Sequence, residues 1–234
     1  MELIGRGRAA DVFDLGDGRV LRRYRAGGDV AREARAMLHL EERGYPVPHV
    51  FDAEGTDLIV ERIDGGTLFD EMMHEPGQYR RYGRLLGELH ERLHRLPAPS
   101  WLAETTDASV VIHRDLHPQN VILSVRGPVV IDWTDVGAGR ASVDAAIAVI
   151  LTLGSDLDVE PEVAERVEPF RALFIDAFLE TCGTDPRDGL EEAIRYRLGT
   201  PHNTREETRW LEQVAPGCLD AFYLEPRELE SREL

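Results

Sequence analysis

The segment His113-Arg114-Asp115-Leu116-His117-Pro118-Gln119-Asn120, followed at a short distance by Asp132, constrains this chain more than any other stretch. Apolar runs Val121-Ile122-Leu123 and Val129-Val130-Ile131 flank Arg126-Gly127-Pro128, so the spacing predicts a short hairpin that returns Asp132 to the loop. Two acids and an amide gathered in this way suit phosphoryl transfer. That reaction needs a carboxylate to accept the proton of the incoming hydroxyl, and oxygen ligands to hold Mg²⁺ against nucleotide phosphates. Asp115 is the candidate for the first role, Asn120 and Asp132 for the second. A polar turn between strands would account for any one of these residues, but not for the joint pattern.

The eight positions match the kinase loop H-R-D-L-x-x-x-N. With His117 and the triplet Ile131-Asp132-Trp133, the chain resembles the aminoglycoside phosphotransferase and choline kinase family, distant relatives of the protein kinases. Arg114 stands where that family usually has glycine. The resemblance implies an α+β, two-lobed, protein-kinase-like fold. A small N-terminal β-sheet lobe with one helix, residues 1–62, would cover the nucleotide, and a mainly helical lobe, residues 63–234, would carry the catalytic groups and the acceptor. It also implies ATP or GTP as phosphate donor, Mg²⁺ as cofactor and a small-molecule hydroxyl as acceptor. Asp144, the one acid in the apolar stretch Ala141 to Leu153, corresponds to an aspartate that holds the backbone of the catalytic loop in that family.

Composition narrows the partners. The chain has 234 residues, 42% of them apolar, enough for one domain or two intimate lobes. No apolar run is long enough to span a membrane, and the start of the chain has no export-signal pattern, so a cytoplasmic location is the expectation. A formal net charge of −17 argues against nucleic acid, whose binding draws on basic residues, and would accommodate a cationic acceptor more easily, such as the aminoglycoside-like one the resemblance implies, although acidity that only keeps the protein soluble gives the same balance. All 27 basic residues are arginine. Without lysine the chain cannot form a Schiff base. Cys182 and Cys218 have neither pair nor metal spacing and read as ordinary buried or half-buried thiols.

Read in order, Ile4-Gly5-Arg6-Gly7-Arg8-Ala9-Ala10-Asp11-Val12 resembles the kinase glycine loop, with Ala10 at the third glycine position, which leaves any strand before Gly5 only a stub. Gly5 and Gly7 are the candidate phosphate-cradling residues. Arg22, in the alternating run Arg19 to Tyr24, stands where kinases carry the phosphate-binding lysine. Its partner is Glu33, inside a helix predicted over Asp29 to Arg43. Two strands, about His49 to Asp52 and Asp57 to Arg62, lead to the interlobe connection, where the backbone at Glu61 and Ile63 would meet the nucleotide base.

Two rival readings accompany the main one. Within a helix over Gln78 to Leu96, His90-Glu91-Arg92-Leu93-His94 fits H-E-x-x-H, the pattern of a zinc hydrolase with Glu91 as base. Arg22, Ala10 and the short first strand also suit a nucleotide-binding module that has lost catalysis. Asp135 to Arg140 has the glycines of a short flexible activation-type segment. Helices about Glu160 to Thr181, Pro186 to Leu198 and Arg205 to Val214 complete the second lobe, where Asp156, Asp158, Glu206 and Glu207 are candidates to line an acid-rich acceptor pocket.

Overall fold

The structure, a computed structural model, describes residues 1–7, 9–25, 27, 29–102, 110–154, 161–200 and 203–223. A five-stranded antiparallel sheet opens the chain: β1 (Glu2–Arg6), β2 (Ala10–Gly16), β3 (Arg19–Tyr24), β4 (Val50–Glu54) and β5 (Asp57–Glu61), in the order β1-β2-β3-β5-β4. Its one helix, α1 (Val30–Glu41), lies between β3 and β4 in sequence. The Asp29 side chain caps α1 by accepting from the backbone N–H of Arg32 at 3.0 Å. Val30, Ala34, Met37 and Leu40 form the buried stripe of α1.

Strand alternation explains which arginine of β3 turns inward. Side chains two apart share a face, so Val20, Arg22 and Tyr24 sit together, while Arg23 on the other face pairs with Asp57 at 2.6 Å. The first strand is no stub. β1 is in ladder with β2 from Glu2↔Asp14 to Arg6↔Asp11, so Gly5 is a strand residue and only Gly7 enters the turn.

The remainder is mainly helical: α2 (Leu68–His74), α3 (Tyr79–His94), α4 (Ala141–Gly154), α5 (Pro161–Thr181), α6 (Leu190–Leu198), α7 (Arg205–Gln213) and α8 (Asp220–Tyr223). Among the described residues no helix is long and apolar enough to cross a membrane. The helix α2 has no counterpart in the sequence expectations; a reciprocal Thr67/Asp70 capping box starts it. Short strands tie the helices to the loop: β6 (Gly66–Thr67), β7 (Val110–Ile112), β8 (Val121–Ser124), β9 (Gly127–Val130) and β10 (Gly137–Gly139). The expected hairpin is β8–β9, extended by β6. The expected flexible segment after Asp135 is instead ordered, because β10 pairs with β7 from Gly137↔Ile112 to Gly139↔Val110. Its glycines admit close neighbours, the Arg114 guanidinium against Gly137 and Ile112 against Gly139.

One apolar cluster runs from β3 and α1 through α3, Trp133 and α5, so sheet and helices share a core. A second cluster, with Ile147, Ile150, Ala193 and Leu211, fastens α6 and α7 to α4. Cys182 is buried and Cys218 half-buried, and both are free thiols. The packing of α3 on α5 leaves no room for a side chain at two glycines. A Cβ at Gly83 would stand 2.2 Å from the Phe174 carbonyl oxygen, and one at Gly87 2.1 Å from Thr181 Oγ1 and 2.8 Å from the Phe178 carbonyl.

On a free helix surface Gly→Ala would stabilise by about 1 kcal/mol. Here the overpacking reverses the sign, and Gly87→Ala is expected to destabilise by about 1–3 kcal/mol, measured by urea unfolding at neutral pH. A more stable Gly87→Ala would contradict the α3–α5 contact.

Candidate active site

The loop that follows β7 is held from below by one carboxylate. Asp144, on α4 and 1% exposed, accepts from the backbone N–H of His113 at 3.1 Å, from that of Arg114 at 2.6 Å and from His94 Nε2 at 3.0 Å. Burial alone would raise its carboxyl, but these donors and the neighbouring histidines outweigh burial and hold it far below the usual carboxylate range. The two amides it grips flank a strained turn, for Arg114 has φ +68°, as unusual for a side-chain-bearing residue as the +63° of Asp132. His113 completes the turn. Its Nδ1 accepts from the Asp115 N–H at 3.2 Å, so its Nε2 carries the proton donated to the Ile131 carbonyl at 3.1 Å. This one ring therefore links the segment of Asp115 to the segment that leads from β9 to Asp132, and it packs on the buried Trp133 with ring centroids 4.4 Å apart.

Asn120 closes the turn Pro118–Asn120 and donates from Nδ2 to the Asp115 carbonyl at 2.8 Å and to Asp115 Oδ2 at 3.0 Å. Its own carbonyl accepts from the Ile131 N–H at 3.0 Å, which fixes it beside the segment that leads to Asp132. His117 Nε2 stands 3.7 Å from Asp115 Oδ2. Burial by itself raises the Asp115 carboxyl; the neighbouring imidazoles of His117 and His113 outweigh it, and the net shift is downward. Asp115 is thus an ionised, hydrogen-bonded carboxylate with the capacity to accept a proton.

From the sheet side, Arg22 reaches across with both arms of its guanidinium. Nη1 pairs with Glu33 Oε1 at 2.8 Å and Nη2 with Asp132 Oδ1 at 2.7 Å, while Thr134 Oγ1 donates to that same Oδ1 at 2.7 Å. Glu33 is 3% exposed and also accepts the Tyr24 hydroxyl, which lies 2.9 Å from Thr134 Oγ1. Burial raises the Glu33 carboxyl despite Arg22. For Asp132 the balance is opposite: burial is outweighed by Arg22, and its pKa is lowered.

These groups line a cavity of about 1200 Å³ between sheet and helices. Its wall includes Gly7, Arg22, Glu61, Ile63, Asp115, Asn120 and Asp132, but not Gly5, which β1 holds against Val12, or Glu33, which lies behind Arg22. The Glu61 carboxylate is paired with Arg126 at 2.7 Å. The Ile63 main chain lies just past the end of β5. Of the four acids expected around an acceptor, Asp156 and Asp158 lie outside the described residues and Glu206 is not on the wall. Glu207 is, yet its carboxylate accepts from the Thr204 N–H at 2.6 Å in the capping box of α7. Thr134, Asp135 and Arg197 are among the wall residues that escape a sequence reading. Burial and the charges of Asp115 and Asp132 raise the Asp135 carboxyl. The doubled acid of Asp132-Trp-Thr-Asp135 is the only signal that could have marked it.

The H-E-x-x-H motif resolves differently from a hydrolase. His90, His94 and Asp144 do approach one another, with a ligand atom of each within 4.8 Å. Glu91 faces outward, paired with Arg95 at 2.5 Å, so the base that zinc hydrolysis needs is turned away from the histidines. His90 Nε2 and the Leu116 carbonyl are 3.2 Å apart, and the ring is fully buried. Both histidines serve the underside of the loop.

Comparison with known proteins follows this geometry. The sequence model of a family described as "Phosphotransferase enzyme family" matches residues 1–105 and 98–187. A probable serine/threonine-protein kinase BUD32 homolog of Archaeoglobus fulgidus is 26% identical over 189 residues, covering 79% of this chain and 78% of that protein. The fold is similar to the aminoglycoside phosphotransferase APH(2")-IIa in its ternary complex with streptomycin and ATP, with a TM-score of 0.58 at 13% identity over 92% of each chain. It is also similar to the amicoumacin kinase hAmiN in complex with AMP-PNP, Ca²⁺ and Ami, with a TM-score of 0.51 at 13% identity over 96% of this chain and 89% of that one.

The buried histidine gives stability a pH dependence. Burial is the main cause that lowers His90 to about 4, against about 6.5 in an unfolded chain. Between these values the unfolded chain binds the extra proton, so stability is full above about 6.5 and falls with pH through the folded value, by up to about 3 kcal/mol. Asp144 works in a lower window, its contribution lasting until pH drops below about 4. Urea unfolding of wild type and His90→Gln at pH 7 and pH 5 is expected to show a flatter pH slope for the variant. An equal slope would contradict a neutral His90.

Proposed function

The chain belongs to the phosphotransferase enzyme family, and from that premise we propose that it transfers the γ-phosphoryl group of ATP or GTP, with Mg²⁺, to a hydroxyl of a small molecule. The observation that carries this reading is the convergence of Asp115, Asn120 and Asp132 at one end of the cavity, facing Arg22 from the sheet. In this reading residues 1–62 cover the nucleotide and residues 63–234 provide the acceptor side. Fold neighbours complexed with ATP and AMP-PNP support a nucleotide donor.

Each residue has a separate task. Asp115, ionised and oriented by Asn120, accepts the proton of the acceptor hydroxyl. Asp132 and the amide oxygen of Asn120 are hard oxygen donors that suit Mg²⁺, and the guanidinium nitrogen 2.7 Å from Asp132 Oδ1 already puts positive charge there. Mg²⁺ bound there would neutralise charge on the phosphate oxygens. Arg22, positioned by Glu33, offers a planar fork to the phosphates in the lysine's place. Gly7 lies at the turn that covers them, and the main chain near Glu61 and Ile63 borders the base.

Calorimetry with AMP-PNP, with and without Mg²⁺, tests the nucleotide; an absence of binding overturns the proposal. Binding without nucleotide consumption across a broad acceptor panel would favour a module that has lost catalysis. Asp115→Asn is expected to keep nucleotide binding while lowering kcat by about a hundredfold or more. Asp132→Asn should instead weaken Mg²⁺-nucleotide binding itself. Arg22→Ala is expected to raise the nucleotide KM or depress kcat by about tenfold, with Arg22→Lys retaining part of the activity.

A further inference from the structure

The acceptor end of the cavity carries a cation with no settled partner. Arg197, near the end of α6, has its side chain only 11% exposed, and it lines the cavity together with Arg171, Thr200, Asn203 and Trp210. Among the described residues its one ion-pair partner is Asp115, whose Oδ1 stands 3.9 Å from Nη1, beyond hydrogen-bond reach. A guanidinium has five N–H donors and does not lose its proton, so holding one in a wall with so few acceptors is costly without a ligand.

Its position is not accidental. The Arg114 guanidinium lies over the ring of the preceding residue, Tyr196, 5.2 Å from the centroid, and this contact docks α6 against the catalytic loop. Arg197 is thereby aimed at Oδ1 of Asp115, whereas Asn120 holds Oδ2. A hydroxyl delivering its proton to Asp115 would bring the atoms bonded to it within reach of Arg197.

Among the described residues, the acids on the wall do not offer a counter-case for a cationic acceptor. Glu61 is paired with Arg126, Asp64 with Arg62 at 3.0 Å, and Glu207 caps its own helix. Asp115, Asp132 and Asp135 lie at the end assigned above to the metal and the proton. Resting on the phosphotransfer reading, we propose that Arg197 recognises an anionic group, carboxylate or phosphate, on the acceptor a few bonds from its reactive hydroxyl. This charge is opposite to the one that overall composition suggests. Net charge describes the whole surface; one half-buried guanidinium governs what sits beside Asp115.

The test compares hydroxy acids and hydroxyalkyl phosphates with the matching amides and amino alcohols, scored by acceptor-dependent nucleotide consumption at saturating Mg²⁺-ATP. Wild type is expected to favour the anionic members by about tenfold or more in kcat/KM, the acid and phosphate arms showing which anion is preferred. Arg197→Gln should erase that preference, chiefly through acceptor KM. Arg197→Lys should keep part of it, and Arg197→Glu should shift preference toward amino alcohols. A wild-type preference for amides or amino alcohols overturns the proposal, as does the absence of turnover with every anionic member. Equal loss of kcat on every acceptor in Arg197→Gln also overturns it, because it would put the arginine on the transferred phosphoryl group. Calorimetry with Mg²⁺-AMP-PNP, together with turnover on the neutral and cationic members of the panel, separates these failures from that of the phosphotransfer reading, which fails if nucleotide does not bind or if no acceptor of any charge is turned over.

Discussion

The buried carboxylate of Asp144 is the interaction on which the catalytic loop depends. A left-handed Arg114 is unfavourable by about 1–3 kcal/mol and persists only where its surroundings over-determine it. Two amide hydrogen bonds to one ionised oxygen pair supply that determination, and His94 completes the coordination of the charge. Removing any partner would leave a buried ion under-solvated, which costs more than the bond contributes when made. The histidines of an apparent zinc motif thus become part of the foundation of a different site.

A second constraint joins the sheet to the helices. Arg22 touches Glu33 on α1 and Asp132 beyond β9 with the same guanidinium, so the placement of the sheet relative to the loop is expressed through one side chain. Tyr24 and Thr134 brace its two ends, the first donating to Glu33 and the second to Asp132. The single positive charge of the arginine is shared by the two carboxylates, which leaves a surplus of negative charge at this point of the cleft when both are ionised.

How much was legible in the sequence follows from how local each feature is. Asp115, Asn120 and Asp132 are joined by a tight turn and one hairpin, so their meeting follows from spacing. Arg22 and Glu33 follow from a strand and the next helix, each with its own periodicity. Gly5 was misplaced because a glycine can sit in a strand as well as in a turn, and the β1–β2 register is not written in residues 4–9. The pairing of β7 with β10 joins three-residue strands far apart in sequence, too short for any alternation to show. Glu91 looks inseparable from His90, but successive helix residues point about 100° apart and the two end on different surfaces. Arg197 depends on how α6 docks through Tyr196 and Arg114, a contact that no local pattern announces.

The inward-facing arginine of β3 also changes what chemistry can reach the cleft. Enzymes that grip phosphate with an amine can be silenced by acetylating that amine, and reagents delivered by a nucleotide can acylate it. The guanidinium of Arg22 stays protonated under all ordinary conditions and is not a comparable nucleophile, and no other side-chain amine exists in the chain to substitute for it. Lysine-directed regulation and lysine-directed labelling therefore both find no target in this cleft.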